Sequence, residues 1–481
     1  MFLSLLCTGV LAGLAAASDS SFRLMSLRIH RDSFVKIKKS ESKKELEVVI
    51  AVQQHNLDTL ERLLIERSTP GNELYRQWLG FDEITALSRN PTGTEEALKW
   101  LHANAVNVTW TSLRQDYIKA TATIEVWERL LDTEFFQFVD TTRRTPSNEF
   151  HRADAYSIPA SLRPHIAAIF NTVQTPPEIN PHLFERDPPE KSSFRTEISV
   201  SRRGNRIHLA DNSPVTPAFL NSLYRIGSNN GTPVQSQSVF ETNEQHFSPN
   251  DLTTFQQTYD LPLESAQAPY GYTTTDCVNN DCHEGNLDIQ YIMGIAQHTA
   301  TIYWYTANTG ASNPFVDWIT AVSSDPDPPL INSVSWGSIE QANSVDTMEA
   351  FNTEAMKLAL QGVTVLVSTG DNGVASRSDL CNTDSGSSQS AWTGASWTGE
   401  GYFPSFPATS PYVTAVGATM GPEDGDPEIA CQSQLGGVIT TGGGFSTYYA
   451  QPSWQTDAVD AYFAGLSAGE QPSSGYNPNG R

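Results

Sequence analysis

Apolar positions along the chain keep two different periods in turn. Glu45–Val52 carries the run Glu-Leu-Glu-Val-Val-Ile-Ala-Val, rich in β-branched residues, and reads as a strand. Leu57, Leu60, Leu63 and Leu64 then recur at helical spacing. Residues 94–102 open with Thr-Glu-Glu, a start suited to a helix N-terminus. Residues 117–124 return to a strand pattern and 126–131 to a helical one. Residues 18–175 are therefore expected to form a separate α+β unit. Further on, 300–307, 330–335 and 363–368 read as strands. Between the last two lies a helix over 344–361, with Met348, Phe351, Ala355, Leu358 and Ala359 on one side and Gly362 closing it. Strands alternating with helices predict an α/β unit with a parallel sheet over 211–481. Between the units, Pro176-Pro177, Pro188-Pro189, Ser192-Ser193 and Ser201-Arg202-Arg203 mark residues 176–210 as a linker.

Charge sharpens the division. Residues 1–210 hold 26 Lys and Arg against 26 Asp and Glu, whereas 211–481 hold 4 against 28, so the second part carries the whole net charge of −24. Such a surface repels nucleic acid and anionic membrane and is tolerable in an acidic medium. Lysine clusters at Lys36, Lys38, Lys39, Lys43 and Lys44 suggest that the first unit docks on the second by opposite charge. Residues 1–17, an apolar run ending in Ala15-Ala16-Ala17, read as a secretory signal peptide, which places the mature protein outside the cell or in an acidic vacuolar or lysosomal compartment. No later segment is long and apolar enough to suggest a membrane span. Removing the signal removes Cys7 and leaves Cys277, Cys282, Cys381 and Cys431. An even count in a secreted chain suggests two disulfides; Cys277–Cys282 with Cys381–Cys431 is the expected pairing, although spacing permits all three. Asn107 and Asn230 lie in glycosylation sequons, and no cysteine or histidine spacing suggests a metal site. The mature protein is expected to be a monomer.

Candidate chemistry is concentrated in Glu284-Gly285-Asn286-Leu287-Asp288. On a helix, Glu284 and Asp288 stand one turn apart on one face, a like-charge pairing that costs about 0.2–0.5 kcal/mol in isolation. With Leu287, Tyr291, Ile292 and Ile295 around them, one carboxyl would be desolvated, and such a pair tends to hold a proton for acid–base work. In open α/β sheets ligands bind beyond the carboxyl ends of strands, where Ser335-Trp336-Gly337 and Gly370-Asp371 both fall.

Taken in order, these motifs resemble those of the sedolisin, or serine-carboxyl peptidase, family, and within it the tripeptidyl-peptidases. Glu284 to Asp288 is similar to the family's Glu-x-x-x-Asp helix. Ser368-Thr369-Gly370-Asp371-Asn372-Gly373 resembles its Ser-x-Gly-Asp-Ser-Gly loop, departing at Asn372. Phe403-Pro404-Ser405-Phe406-Pro407-Ala408, the run from Tyr412 to Thr419, and Gly442-Gly443-Gly444-Phe445-Ser446 match further signatures. Tyr75 to Leu79, Trp100-Leu101, Tyr156-Ser157-Ile158-Pro159 and His165-Ile166 resemble the family's pro-domain.

The resemblance implies a subtilisin-like parallel-sheet catalytic domain behind an α+β pro-domain that docks on it. It further implies cleavage of peptide or protein substrates in acid, with Glu284 as general base, Asp288 orienting it, and Asp371 as the oxyanion-hole acid. Ser335, Trp336 and Gly337 would hold substrate backbone. The family's nucleophile lies in a Gly-Thr-Ser-x-x-x-Pro motif, which these residues lack, and the C-terminal calcium segment expected for the family is likewise not found here. The expectation is a secreted peptidase site without its serine; the alternative is a non-catalytic protein that binds peptides or peptidases.

Overall fold

The computed structural model describes residues 22–29, 33–141, 149–177, 214–227, 231–232, 234–270, 277, 282–308, 312–375, 402–467, 477 and 479–480. The signal segment, almost all of the linker, Asn230 and Cys381 lie outside them.

The first unit contains β1 (Phe22–Leu27), β2 (Phe34–Lys39), β3 (Glu45–Val52), α1 (Leu57–Ser68), α2 (Phe81–Ser88) and α3 (Pro91–Ala103). It continues with β4 (Asn107–Thr111), β5 (Tyr117–Thr123), α4 (Ile124–Leu130), β6 (Phe135–Asp140), β7 (Glu149–Ala153), β8 (Ala155–Pro159) and β9 (Ile166–Phe170). Its main sheet is antiparallel in the order β4-β5-β3-β9; β2-β6-β7 form a second sheet, and β1 pairs with β8. Element boundaries shift by a few residues from the sequence reading. α3 begins ahead of the Thr-Glu-Glu, at Pro91, because Asn90 Oδ1 caps it by accepting the Gly93 N–H at 2.8 Å. The strand expected to reach 124 stops at Thr123, since Ile124 already belongs to α4.

The second unit holds α5 (Pro217–Leu223), β10 (Ser236–Glu241), α6 (Pro249–Thr258), β11 (Gln267–Tyr270), α7 (His283–Ile295), β12 (Ala300–Tyr305) and α8 (Pro314–Ser323). Then follow β13 (Ile331–Val334), β14 (Ser338–Ile339), α9 (Val345–Leu360), β15 (Thr364–Ser368), β16 (Ser405–Phe406), β17 (Thr414–Val416) and α10 (Thr456–Gly465). Six strands form a parallel sheet in the order β11-β12-β10-β13-β15-β17. Helices α8 and α9 cover one face through Phe315, Trp318, Met348, Phe351 and Leu358. Helices α6 and α7 cover the other near β10, through Leu252, Ile289 and Met293. The expected α/β architecture behind an α+β unit is the one observed.

β3 shows how the two units meet. Val48, Ile50 and Val52 point into the core of the first unit with Leu101, Ile118 and Trp127. Their alternates Val49 and Ala51, with Tyr117 and Phe170, pack on Val316 of α8 and Ala350 of α9. A strand buried on both faces has no polar alternation, which is why this run is almost wholly apolar. Beside it Leu60, Leu64 and Ile84 pack on Met356 and Leu360, and the Leu79 N–H donates to Leu360 O at 2.8 Å. Trp78 lies over Gly362 so closely that a Cβ there would fall 2.5 Å from the indole Cδ1.

The lysine clusters do not carry this docking. Lys36 bonds Asp154, Lys38 approaches Glu41, Lys39 bonds Glu134 and Lys43 bonds Glu125, all within the first unit. The deepest cross-unit pair has the opposite polarity. Lys357, the one lysine in residues 211–481, is fully buried on α9 between Asp116 of the first unit at 2.7 Å and Glu354 at 2.6 Å. Arg114 seals the edge, donating to Ser323 O at 3.0 Å and Gln361 Oε1 at 2.5 Å.

Candidate active site

The sheet order fixes where a site can form. From β10 the chain goes to the edge as β11, returns as β12 between them, then crosses to lay down β13, β15 and β17 on the other side. The reversal falls between β10 and β13, and a crevice opens beyond the carboxyl ends of strands at such a point. β10 ends in Glu241, β13 leads into Ser335-Trp336-Gly337, and β15 leads into Thr369-Gly370-Asp371. Helix α7, packed against β10, brings Glu284 and Asp288 to the same end.

The start of α7 is held from outside rather than capped by its own N-cap side chain. Cys282 occupies the N-cap position without a side-chain capping bond and is tied by a disulfide to Cys277. The Glu284 N–H donates to Gln245 Oε1 at 3.1 Å, and the Tyr303 hydroxyl holds Gln245 O at 3.0 Å. Asn286 accepts the Ser248 N–H at 2.8 Å and donates to Asp251 at 2.9 Å. Gly285 permits this contact, since a Cβ there would stand 2.2 Å from His246 O and 2.3 Å from the Tyr303 hydroxyl.

The apolar environment expected of the pair is arranged differently. Leu287 points to solvent at 42 % exposure, while Ile289 and Met293 face the core. Glu284 is buried and Asp288 half-buried. The fully desolvated acid is a third one, Glu241, which sequence reasoning missed. Its Oε2 accepts the Trp336 indole N–H at 2.8 Å, and its carboxyl is within hydrogen-bonding reach of Asp288. Two carboxyls can bond only through a proton. Burial first, then the charges of Asp288 and Glu284 and the bond to Asp288, push Glu241 far above the usual carboxylate range, against the Trp336 donor. The strongest desolvation thus falls on Glu241 rather than on the Glu284 and Asp288 pair. An acid closing an inner strand, Val239-Phe240-Glu241, was the signal available in the sequence.

Residues 32–175 match the family described as "Pro-kumamolisin, activation domain". Tripeptidyl-peptidase 1 of Rattus norvegicus is 28 % identical over 456 residues, covering 93 % of this chain and 73 % of that protein. Tripeptidyl-peptidase 1 of Dictyostelium discoideum is 28 % identical over 460 residues, covering 91 % and 70 %. By its activation domain and by these relatives the chain is similar to the sedolisin, or serine-carboxyl peptidase, family. Among solved structures, Pseudomonas sedolisin is similar over 52 % of this chain and 67 % of that one, at 24 % identity and a TM-score of 0.41.

Other residues expected to matter in a sedolisin fall as follows. Asp371 follows β15 and is half-buried, its backbone carbonyl accepting the Thr440 N–H at 3.0 Å. Ser335 and Gly337 are half-buried, while the Trp336 side chain is buried and turns inward to Glu241. Cys431 is a buried thiol that donates to Ile439 O at 3.3 Å; its expected disulfide partner, Cys381, lies outside the described residues. Asn107 is exposed on β4. Among the described residues no group of three or more His, Cys, Asp or Glu side chains is arranged to hold a metal ion. No helix among them is long and apolar enough to cross a membrane.

Proposed function

We propose that the protein is an acid-active serine-carboxyl peptidase that releases tripeptides from free peptide N-termini. In this reading Glu284 takes the proton of the attacking hydroxyl and Asp288 orients it. Glu241 keeps a proton on the far side of Asp288, so that negative charge stays on the pair nearest the substrate. A carboxylate base still works where imidazole would be permanently protonated. Asp371 donates to the tetrahedral oxyanion when protonated and repels it when ionised, which confines the reaction to acid. The backbone of residues 335–337 holds the substrate as an added strand. The signal-like N-terminus and the 28 acids of residues 211–481 favour delivery to an acidic extracellular or vacuolar medium, as a monomer whose activation domain stays docked until then. The observation that carries the reading is the convergence of Glu241, Asp288 and Glu284 at the sheet's point of reversal.

A Gly-Thr-Ser-x-x-x-Pro stretch does not occur in the 481 residues. The assay therefore uses protein expressed from its own transcript, whose 3′ sequence shows whether that motif follows. Peptides with free and acetylated N-termini are incubated between pH 3 and 8 and followed by mass spectrometry. Tripeptides should accumulate from the free peptides in acid, and Glu284→Gln and Asp371→Asn should each slow release by about a hundredfold or more. Binding of these peptides with no release at any pH would leave the other reading, a peptide-binding protein without catalysis.

A further inference from the structure

A second buried carboxylate plays no part in the reaction proposed above. Glu340 is fully buried just past β14, and its backbone N–H donates to Pro404 O at 2.8 Å. Its Oε1 accepts the Ser446 hydroxyl at 2.5 Å, and its Oε2 accepts both the N–H and the hydroxyl of Thr447 at 2.6 Å. Ser446 and Thr447 are themselves buried. Burial holds the carboxyl above its usual range, against these donors. An apolar side chain would fill the space at lower cost, since a buried carboxylate is expensive unless its bonds are used. What it supplies is direction: three donors from two adjacent residues are fixed at one point.

Upstream, the same segment runs against the Asp371 loop. The Thr440 N–H donates to Asp371 O at 3.0 Å, the Gly373 N–H to Thr440 O at 2.9 Å, and the Gly442 N–H to Gly370 O at 2.7 Å. A Cβ on Gly442 would fall 1.8 Å from Thr369 O, so the two backbones touch. Gly443 and Gly444, the latter at φ +100°, join the two pinned ends without side chains to stiffen them. Residues 440–447 are thus an arm, fastened at one end to the Asp371 loop and at the other to Glu340.

We propose that Glu340 is a positioning residue: by holding Ser446 and Thr447 it fixes the arm that sets where Asp371 stands. Its consequence for rate rests on the role given to Asp371 above; the placement itself does not. Hydrogen exchange on the full chain tests the placement, comparing the native protein with Glu340→Gln, which sets an amide N–H against a donor, and with the isosteric Thr447→Val. In Glu340→Gln the amides of Gly373, Thr440 and Gly442 should exchange at least tenfold faster, in Thr447→Val by a smaller factor, with those of β13 and α9 unchanged. Unaltered exchange at those three amides, or acceleration shared equally by β13 and α9, would overturn the proposal. In the peptidase assay Glu340→Gln should lower kcat at least tenfold with KM within twofold; a rise in KM alone would show that Asp371 is not what is positioned. A protein that releases no peptide defeats the peptidase reading, while the exchange result still decides this one.

Discussion

At Gly285 the helix α7 and the loop before α6 touch. A methyl group added there would meet His246 O at 2.2 Å and the Tyr303 hydroxyl at 2.3 Å, and no rotamer change relieves it, because one obstacle is backbone. Gly285→Ala should therefore push the first turn of α7 off its bracket and cost about 1–3 kcal/mol. Glu284 is the adjacent residue, so peptide release should fall by more than the lost stability accounts for. Thermal melts read beside kcat separate the two, and a variant that melts lower yet turns over normally would contradict this account. The sequence showed Glu284 and Asp288 but not Glu241, since a strand ending in an acid looks like any strand entering a turn. Only the pairing of β10 with β12 and β13 shows that this end is buried.

At the scale of elements, α9 stands between two cores, and its single lysine is charged on behalf of both units. Burial alone would raise the Asp116 carboxyl, but the Lys357 charge and hydrogen bond, with Ser112 and Arg114, outweigh it and hold it below the usual range. A depressed carboxylate stabilises the docked state above its undocked pKa and loses that contribution only as pH falls through the depressed value. This contact therefore survives mild acid and gives way only below the ordinary aspartate range, around pH 4. Asp116→Asn leaves Lys357 with Glu354 alone and should weaken docking by about 1–3 kcal/mol, whereas adding Lys357→Met strands the buried Glu354 and should weaken it further. Urea titration followed by protease cutting between the units measures both, and equal midpoints for all three proteins would refute the assignment.

The elements most legible in the sequence, β3, α9 and β15, are long or buried on both sides, so their apolar pattern is set locally. β10 was missed because Gln237 and Ser238 read as polar. Inside the sheet they bond Thr301 at 3.0 Å and Asn332 at 2.6 Å, partners far along the chain. The lysine clusters misled for a similar reason: Asp154, between β7 and β8, and Glu134, just before β6, reach Lys36 and Lys39 only once the chain folds.

Over the whole molecule, acid acts on the two units in opposite senses. Glu241, Glu340 and Asp346 sit in the second unit with carboxyls that burial raises. The native state then binds protons that the unfolded chain releases, so stability falls as pH rises through the raised values and returns on acidification. His151 in β7 does the reverse. Burial, then the charges of Lys44 and Arg152, lower it from 6.5 to about 4, so the native first unit binds fewer protons in that interval and loses stability as pH falls. Exchange protection measured from pH 7 to 5, corrected for intrinsic rates, should rise around β10 and α7 and fall across β2, β6 and β7. Protection moving in one direction throughout would count against this division.

Trp78, laid over Gly362, gives the separation of the units a colour of its own. Once the first unit departs, that indole leaves a peptide surface for water, and its emission moves to longer wavelength and weakens. The molecule thus carries an unlabelled optical signal for the parting of its two units, placed at the end of the helix where the two cores meet.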